Sequence, residues 1–158
     1  MSRQPAPQLH WSALRVDDLD TLLAVENQCY SHPWTRGNFI DSMAMGYAMQ
    51  LLWIDEQLVG YFVAMQGVDE VHLLNITVNP RFQRQGWARV LLEQLRSWAG
   101  SVRAGTIWLE VRKSNVRAQQ IYLEFGFQSV GLRKRYYPVS HLEREDAVVM
   151  SFLLPLSD

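Results

Sequence analysis

The stretch NPRFQRQGWARVLLEQL, Asn79 to Leu95, changes character at Gly86. Before the glycine it reads as a surface turn: Asn79-Pro80 stops an apolar run, and Arg81, Gln83, Arg84 and Gln85 are polar. After it, Ala88, Leu91, Leu92, Leu95, Trp98 and Ala99 recur at helical spacing, so one stripe of a helix is expected to be buried. A helix start presents unpaired backbone N–H groups and the positive end of the aligned peptide dipoles. Where a glycine-containing turn leads from a strand into such a start, successive amides can converge on a phosphate. Ala88 is small enough for the first turn to lie close to a ligand, and Arg81, Arg84 and Arg89 add positive charge. A solvated loop with a glycine for its turn fits the same residues, and the stretch alone leaves both readings open. The patterns G-x-x-x-x-G-K-[ST] and G-x-G-x-x-G are both absent, which weakens nucleoside triphosphate and dinucleotide readings.

Working outward, EVHLLNITV before the turn reads as a strand, and YAMQLLWI and LVGYFVAM, joined by DEQ, read as an antiparallel hairpin. Nearer the start, LHWSALRV is a short strand. DDLDTLLAVENQCY is a helix with acidic residues in its first turn and apolar Leu19, Leu22, Leu23, Val25 and Cys29. SHPW breaks it, and TRGNFIDSMAM is a second, weaker helix. Downstream come a strand at TIWLEV, a helix from about Asn115 to Phe125 stopped by Gly126, and strands at FQSVGLRKRYY and DAVVMSFLL. The order β-α-α-β-β-β-α-β-α-β-β predicts a mixed α/β fold, with parallel central strands where a helix intervenes. A single domain over residues 1–158 is expected, with residues 1–8, containing Pro5 and Pro7, as a loose end.

The 158 residues are 48% hydrophobic and 20% charged, the balance of a soluble globular chain with a sizeable core. A formal net charge of -1 gives no general reason to bind nucleic acid or membranes. The single cysteine, Cys29, excludes an internal disulfide framework and suits a reducing compartment. The opening residues lack the apolar run of a signal peptide, and no apolar segment is long enough for a membrane helix, so a cytoplasmic protein is expected. His10, His32, His72 and His141 are scattered without metal-ligand spacing, and no metal is expected. Cys29 has no evident partner base and lies on the apolar face of its helix, which reads as a buried structural thiol.

The segment NITVNPRFQRQGWARVLLEQL resembles the acetyl-CoA-binding motif of the GNAT superfamily of N-acetyltransferases, Q/R-x-x-G-x-G/A. Gln83, Arg84, Gln85, Gly86, Trp87 and Ala88 fill it, with Ala88 in a slot where many members carry glycine. The element order is also that of the GNAT fold. WLEVRKSNVRAQQIYLEFGF, SHPW and RKRYYP…EREDAVVM are similar to the bacterial branch that acetylates the N-terminal alanine of a small-subunit ribosomal protein. The likeness runs from about Trp11 onwards. It implies acetyl-CoA as acetyl donor, no metal, and a peptide or protein N-terminus, that of a ribosomal protein, as acceptor. Amides from about Arg84 to Arg89 would hold the pyrophosphate. The strand LLNITV would splay from TIWLEV, leaving backbone groups near Ile76 and Val78 for the pantetheine arm and the thioester carbonyl.

In TIWLEV, alternation puts Ile107, Leu109 and Val111 on one face, with Trp108 and Glu110 on the other. A carboxylate in so apolar a strand stands either at an edge or toward a cleft, and the pattern leaves both open. The family's base glutamate occurs in the same LEVR context, which implies Glu110 as general base. Tyr122 lies on an apolar helix stripe with Ala118, Ile121 and Phe125, as a core tyrosine would. The resemblance makes it the acid beside the CoA sulfur. Asn115 reads as a helix cap, and the matching family asparagine also meets CoA. For the acceptor, the resemblance points to Tyr30, Trp34, Tyr136 and Tyr137 as walls of a peptide groove. Glu143, Glu145 and Asp146 read as a solvated turn.

A small-molecule amine or a lysine side chain is an alternative acceptor, since one fold serves many. From another class, Arg133, Lys134 and Arg135 beside Tyr136 and Tyr137 would suit an RNA-contacting module. A CoA-binding regulatory domain without catalysis is a third reading, disfavoured by the presence of both Glu110 and Tyr122. No direct nucleic-acid partner and no membrane are expected, and a monomer is.

Overall fold

The computed structural model describes residues 6–155. The elements are β1 (Leu9–Ala13), α1 (Leu19–Cys29), α2 (Arg36–Ala44), β2 (Ala48–Ile54), β3 (Gln57–Gln66), β4 (Glu70–Val78), α3 (Trp87–Ser101), β5 (Thr106–Arg112), α4 (Val116–Phe125), β6 (Gln128–Pro138) and β7 (Arg144–Leu153). Short 3-10 turns precede α1 at Val16–Asp18 and follow β4 at Pro80–Phe82. The order is the one expected. The strands form one seven-stranded sheet, β1-β2-β3-β4-β5-β7-β6. Only β4 and β5 are parallel, because α3 carries the chain back between them. Of the expected loose end, residues 1–5 lie outside the described residues. Gln8 is tied down, its N–H donating to Asp55 Oδ1 at 3.0 Å and its carbonyl accepting from the Asp55 amide at 2.8 Å.

Helices cover both faces. On one, Leu92, Leu95 and Ala99 of α3 pack on Phe62, Leu73, Ile107, Leu109 and Met150, with α4 beside them. Each fully buried leucine there contributes about 1.5–3 kcal/mol. The expected stripe of α3 holds at Leu91, Leu92, Leu95 and Ala99, while Ala88 and Trp98 are only partly buried. On the other face, Leu19, Leu22 and Val25 of α1 and Phe39 of α2 pack on Leu51, Tyr61 and Val63. Thr35 starts α2 by accepting the Asn38 amide at 3.1 Å.

Two irregularities position the site. β4 and β5 pair only at Glu70–Thr106, Val71–Ile107 and His72–Trp108, and then part. Just there β4 carries a bulge: Ala64 faces Leu73 and Val63 faces Asn75, so Leu74 is the extra residue. The bulge exchanges the faces of the strand. Val71 and Leu73 join the α3 core, whereas Asn75 and Thr77 turn to α1 and Ile76 packs on the α3 side.

Candidate active site

Two cavities open along the split between β4 and β5, of about 480 and about 500 Å³. They share Cys29, Tyr30, Ile76, Asn115, Ala118 and Tyr122. The two cavities therefore adjoin at these residues, Tyr122 among them.

The first cavity meets the start of α3. Gly86 caps the helix with φ 87° and Arg84 has φ 63°, both left-handed. The turn thereby delivers the amides of Trp87, Ala88 and Arg89 as a helix start without intrahelical acceptors. No other protein acceptor engages them among the described residues. Arg84, Gly86, Trp87, Ala88 and Arg89 line this cavity together with Gln83, Asn115 and Tyr122. Gln85 does not; its side-chain amide donates to the Arg81 carbonyl at 3.3 Å. Arg117 and Glu124 of α4 line it as well, and nothing in the sequence pattern marked them.

Ile76 and Val78 form its other wall. Because Asn79 donates to the Val59 carbonyl, alternation turns Thr77 and Asn75 toward β3 and the backbone groups of Ile76 and Val78 toward the split. With β5 gone, side chains take up the carbonyls: the Tyr30 hydroxyl donates to Ile76 at 2.9 Å and the Gln83 amide to Val78 at 3.1 Å. The N–H groups of Ile76 and Val78 are left facing the split.

The second cavity holds Glu110, whose side chain is 6% exposed. The carboxyl Oε2 lies 2.6 Å from His72 Nε2, and Arg133 Nε stands 3.1 Å from Oε1. Glu110 is thus turned to a cleft, not to an open edge. Tyr30, Trp34 and Tyr137 line the same cavity. Tyr137 donates to the Glu110 carbonyl at 3.1 Å and receives the Arg112 guanidinium over its ring at 4.6 Å. Burial, and next the Glu110 charge, push the Tyr137 hydroxyl up to about 12. Tyr136 does not join this wall: a register shift between Arg133 and Tyr137 leaves it outside, 40% exposed, under Arg133. Arg133 also reaches over Trp108, so the basic run of β6 is partly spent within the protein.

Tyr122 packs on Phe127, and its hydroxyl makes no hydrogen bond to protein among the described residues. Burial, then Tyr137, hold that hydroxyl above the ordinary tyrosine range. It keeps its proton at neutral pH and faces both cavities. Asn115 caps α4, its side chain accepting the Ala118 amide at 3.1 Å.

Other expectations are corrected. Cys29 lines both cavities, since it ends α1 at the split; burial, then Glu26, raise its thiol, which is therefore not activated. Glu145 and Asp146 are not a solvated turn. Glu145 accepts from Arg112 at 2.9 Å and from Ser114, and the Arg112 bond holds its carboxyl below the usual range. Asp146 accepts the Arg135 amide at 2.9 Å. Sequence reading also passed over Glu26, which is 1% exposed. It accepts from Tyr61 at 2.6 Å, from Asn75 at 3.0 Å and from the Trp34 amide at 2.9 Å, tying α1 and the SHPW loop to the bulged strand. No cluster of three or more His, Cys, Asp or Glu that could hold a metal ion occurs among the described residues, and no helix there is long and apolar enough to cross a membrane.

The split parallel pair beside a helix start is part of the fold of a known class, and the chain belongs to the Acetyltransferase (GNAT) family, whose model matches residues 14–127. Acetyl-CoA is the acetyl donor of that family. Within it, the chain is 33% identical over 137 residues to the ribosomal protein bS18-alanine N-acetyltransferase of Haemophilus ducreyi, covering 87% of this chain and 94% of that one. It is 34% identical to the enzyme of the same name from Salmonella typhimurium, covering 92% and 97%. The crystal structure of the ribosomal-protein-S18-alanine N-acetyltransferase from Escherichia coli superposes with a TM-score of 0.86 at 31% identity, covering 96% and 97%.

Proposed function

We propose that this chain transfers acetyl from acetyl-CoA to the N-terminal α-amine of a protein, the N-terminal alanine of ribosomal protein bS18, by direct attack in a ternary complex. The observation that carries the reading is the pair of adjoining cavities at the split, one at a helix start and one bearing a carboxylate, both lined by Tyr122. The names of relatives that match over nearly their full length supply the acceptor.

Donor CoA lies in the first cavity, its pyrophosphate on the amides from Arg84 to Arg89 and its pantetheine arm along Ile76 and Val78, with Asn115 beside it. The acceptor N-terminus enters the second, between Tyr30, Trp34 and Tyr137. An α-amine has a pKa of about 7.7–8.0, so a sizeable fraction is neutral near pH 7 and only modest help is needed. Its nitrogen attacks the thioester carbonyl carbon. The charge growing on the carbonyl oxygen is met by strand N–H groups already in place. The C–N bond forms and the C–S bond breaks. Glu110 takes the proton lost by nitrogen, and Tyr122 gives its proton to the departing thiolate. A hydroxyl held above its ordinary range and a carboxylate at the acceptor end suit those two parts.

The test is mass spectrometry of small-subunit ribosomal proteins after incubation with the enzyme and acetyl-CoA. Acetylation at an N-terminal alanine is expected. Modification confined to lysines, or none, would overturn the reading.

A further inference from the structure

His72 has no part in the chemistry above, and sequence spacing set it aside. In the fold it occupies the last rung at which β4 and β5 pair, opposite Trp108, immediately before the split. Its ring lies flat on the Trp108 indole, with centroids 3.5 Å apart and planes at 10°. Its Nε2 meets Glu110 Oε2 at 2.6 Å, with side chains 12% and 6% exposed. The ladder fixes the backbone of His72, the indole fixes its ring, and the ring fixes one oxygen of the carboxylate. The other oxygen, Oε1, is differently placed. It is buried; Arg133 Nε is 3.1 Å away but is not aligned for a hydrogen bond, and Oε1 has no other partner among the described residues.

We propose that His72 is a positioning residue for the proton transfer: it grips Glu110 through Oε2, holds the carboxylate at the acceptor cavity, and tunes it by its own protonation. This rests on the reading of Glu110 as the base. An imidazolium beside a carboxylate favours the charged form and weakens it as a base. A neutral imidazole donating one N–H leaves it more basic. The other charged or titratable groups around them are Arg133 and Tyr137 from β6, Arg112 from β5, Tyr122 from α4, and Glu26, Cys29, Tyr30 and His32 from α1 and the loop after it, all but Arg133 lining the same cavity as Glu110.

The experiment measures kcat and KM from about pH 5 to 8, the range in which histidine changes charge, with an N-terminal alanine peptide. Wild type is compared with His72→Phe, which keeps the stack and removes the bond, and His72→Gln, which keeps an N–H donor but cannot titrate. In His72→Phe, kcat should fall about 10- to 100-fold, part of the 10²–10⁴ that a positioned base supplies, with KM for acetyl-CoA unchanged. His72→Gln should recover most of kcat at neutral pH and lose the acid-side inflection of the wild-type profile. Wild-type kcat in His72→Phe overturns the inference, and so does a wild-type inflection in His72→Gln, which decides the matter if the Phe variant does not fold. Glu110→Gln is run alongside. If it retains wild-type kcat, the base reading fails and this inference with it; if it loses kcat while His72→Phe does not, only the His72 inference fails.

Discussion

The Tyr30 hydroxyl donates to the Ile76 carbonyl at 2.9 Å and touches the Thr77 hydroxyl at 2.7 Å, bracing β4 where β5 no longer pairs with it. A side chain at the end of α1 thus replaces a ladder bond, and the strand stays extended without a neighbour. In Tyr30→Phe that bond is lost. The unfolding free energy should drop by about 1 kcal/mol, and KM for acetyl-CoA should rise as the Ile76–Val78 wall loosens. Urea melts and steady-state kinetics check both. An unchanged KM would show that the strand holds its shape without the brace.

Gly86 offers a second handle on the donor side. Nothing lies within 4 Å of a Cβ added there, so substitution costs backbone strain and not a clash. For a non-glycine residue the left-handed conformation costs about 1–2 kcal/mol. Gly86→Val should therefore fold, melt a few degrees lower, and raise KM for acetyl-CoA at least tenfold, because the strain is relieved by moving the amides of the turn. Unchanged acetyl-CoA binding by calorimetry would make the glycine a turn residue only.

Tyr122→Phe separates chemistry from packing. Its hydroxyl has no protein partner to lose among the described residues, so thermal stability should stay at the wild-type value. The rate of acetyl transfer should fall about 10²- to 10⁴-fold if the hydroxyl supplies the thiolate's proton. A variant equally stable and equally active would remove Tyr122 from the chemistry.

The cavity at the start of α3 was legible because it is local: Gly86, the turn before it and the α3 stripe lie within one short stretch of chain. Alternation in β5 likewise placed Glu110 opposite the core. What escaped depends on register and on chain ends meeting in space. His72 reaches Glu110 only through the parallel pairing of β4 with β5 across the whole α3 crossover. The bulge at Leu74 reverses which residues of β4 face α1, so Asn75 and Glu26 could not be paired by period-two reading. The family likeness named Tyr136 together with Tyr137, but at the register shift in β6 only Tyr137 reaches the cavity, with Tyr136 edge-on to its ring outside. Cys29 read as core by helical periodicity, yet the helix ends at the split and exposes it to the cavities.

The buried tyrosines give a pH dependence whose sign follows from linkage. Burial first, then the Glu26 charge, hold Tyr61 above the ordinary value of 10.0; burial, then Tyr137, do so for Tyr122; and Tyr137 is pushed up to about 12. Above pH 10 the unfolded chain binds fewer protons than the fold at each position. Their contribution is complete below pH 10 and is lost as pH rises through the folded values, for Tyr137 up to about 12. The decline should reach at most about 1.4 kcal/mol per pH unit per tyrosine. Urea melts across this window should show it, with a shallower slope in Tyr61→Phe. A flat profile would contradict the burial of these hydroxyls as neutral groups.

The most direct measurement compares acetylation rates, at saturating acetyl-CoA, for a peptide with a free N-terminal alanine and for the same lysine-containing peptide with its N-terminus blocked. The free α-amine should be acetylated at least a hundredfold faster, and that preference should vanish with the activity in Glu110→Gln. Equal rates on the two peptides, or faster acetylation of the blocked one, would contradict N-terminal acetyl transfer as the function of this cleft.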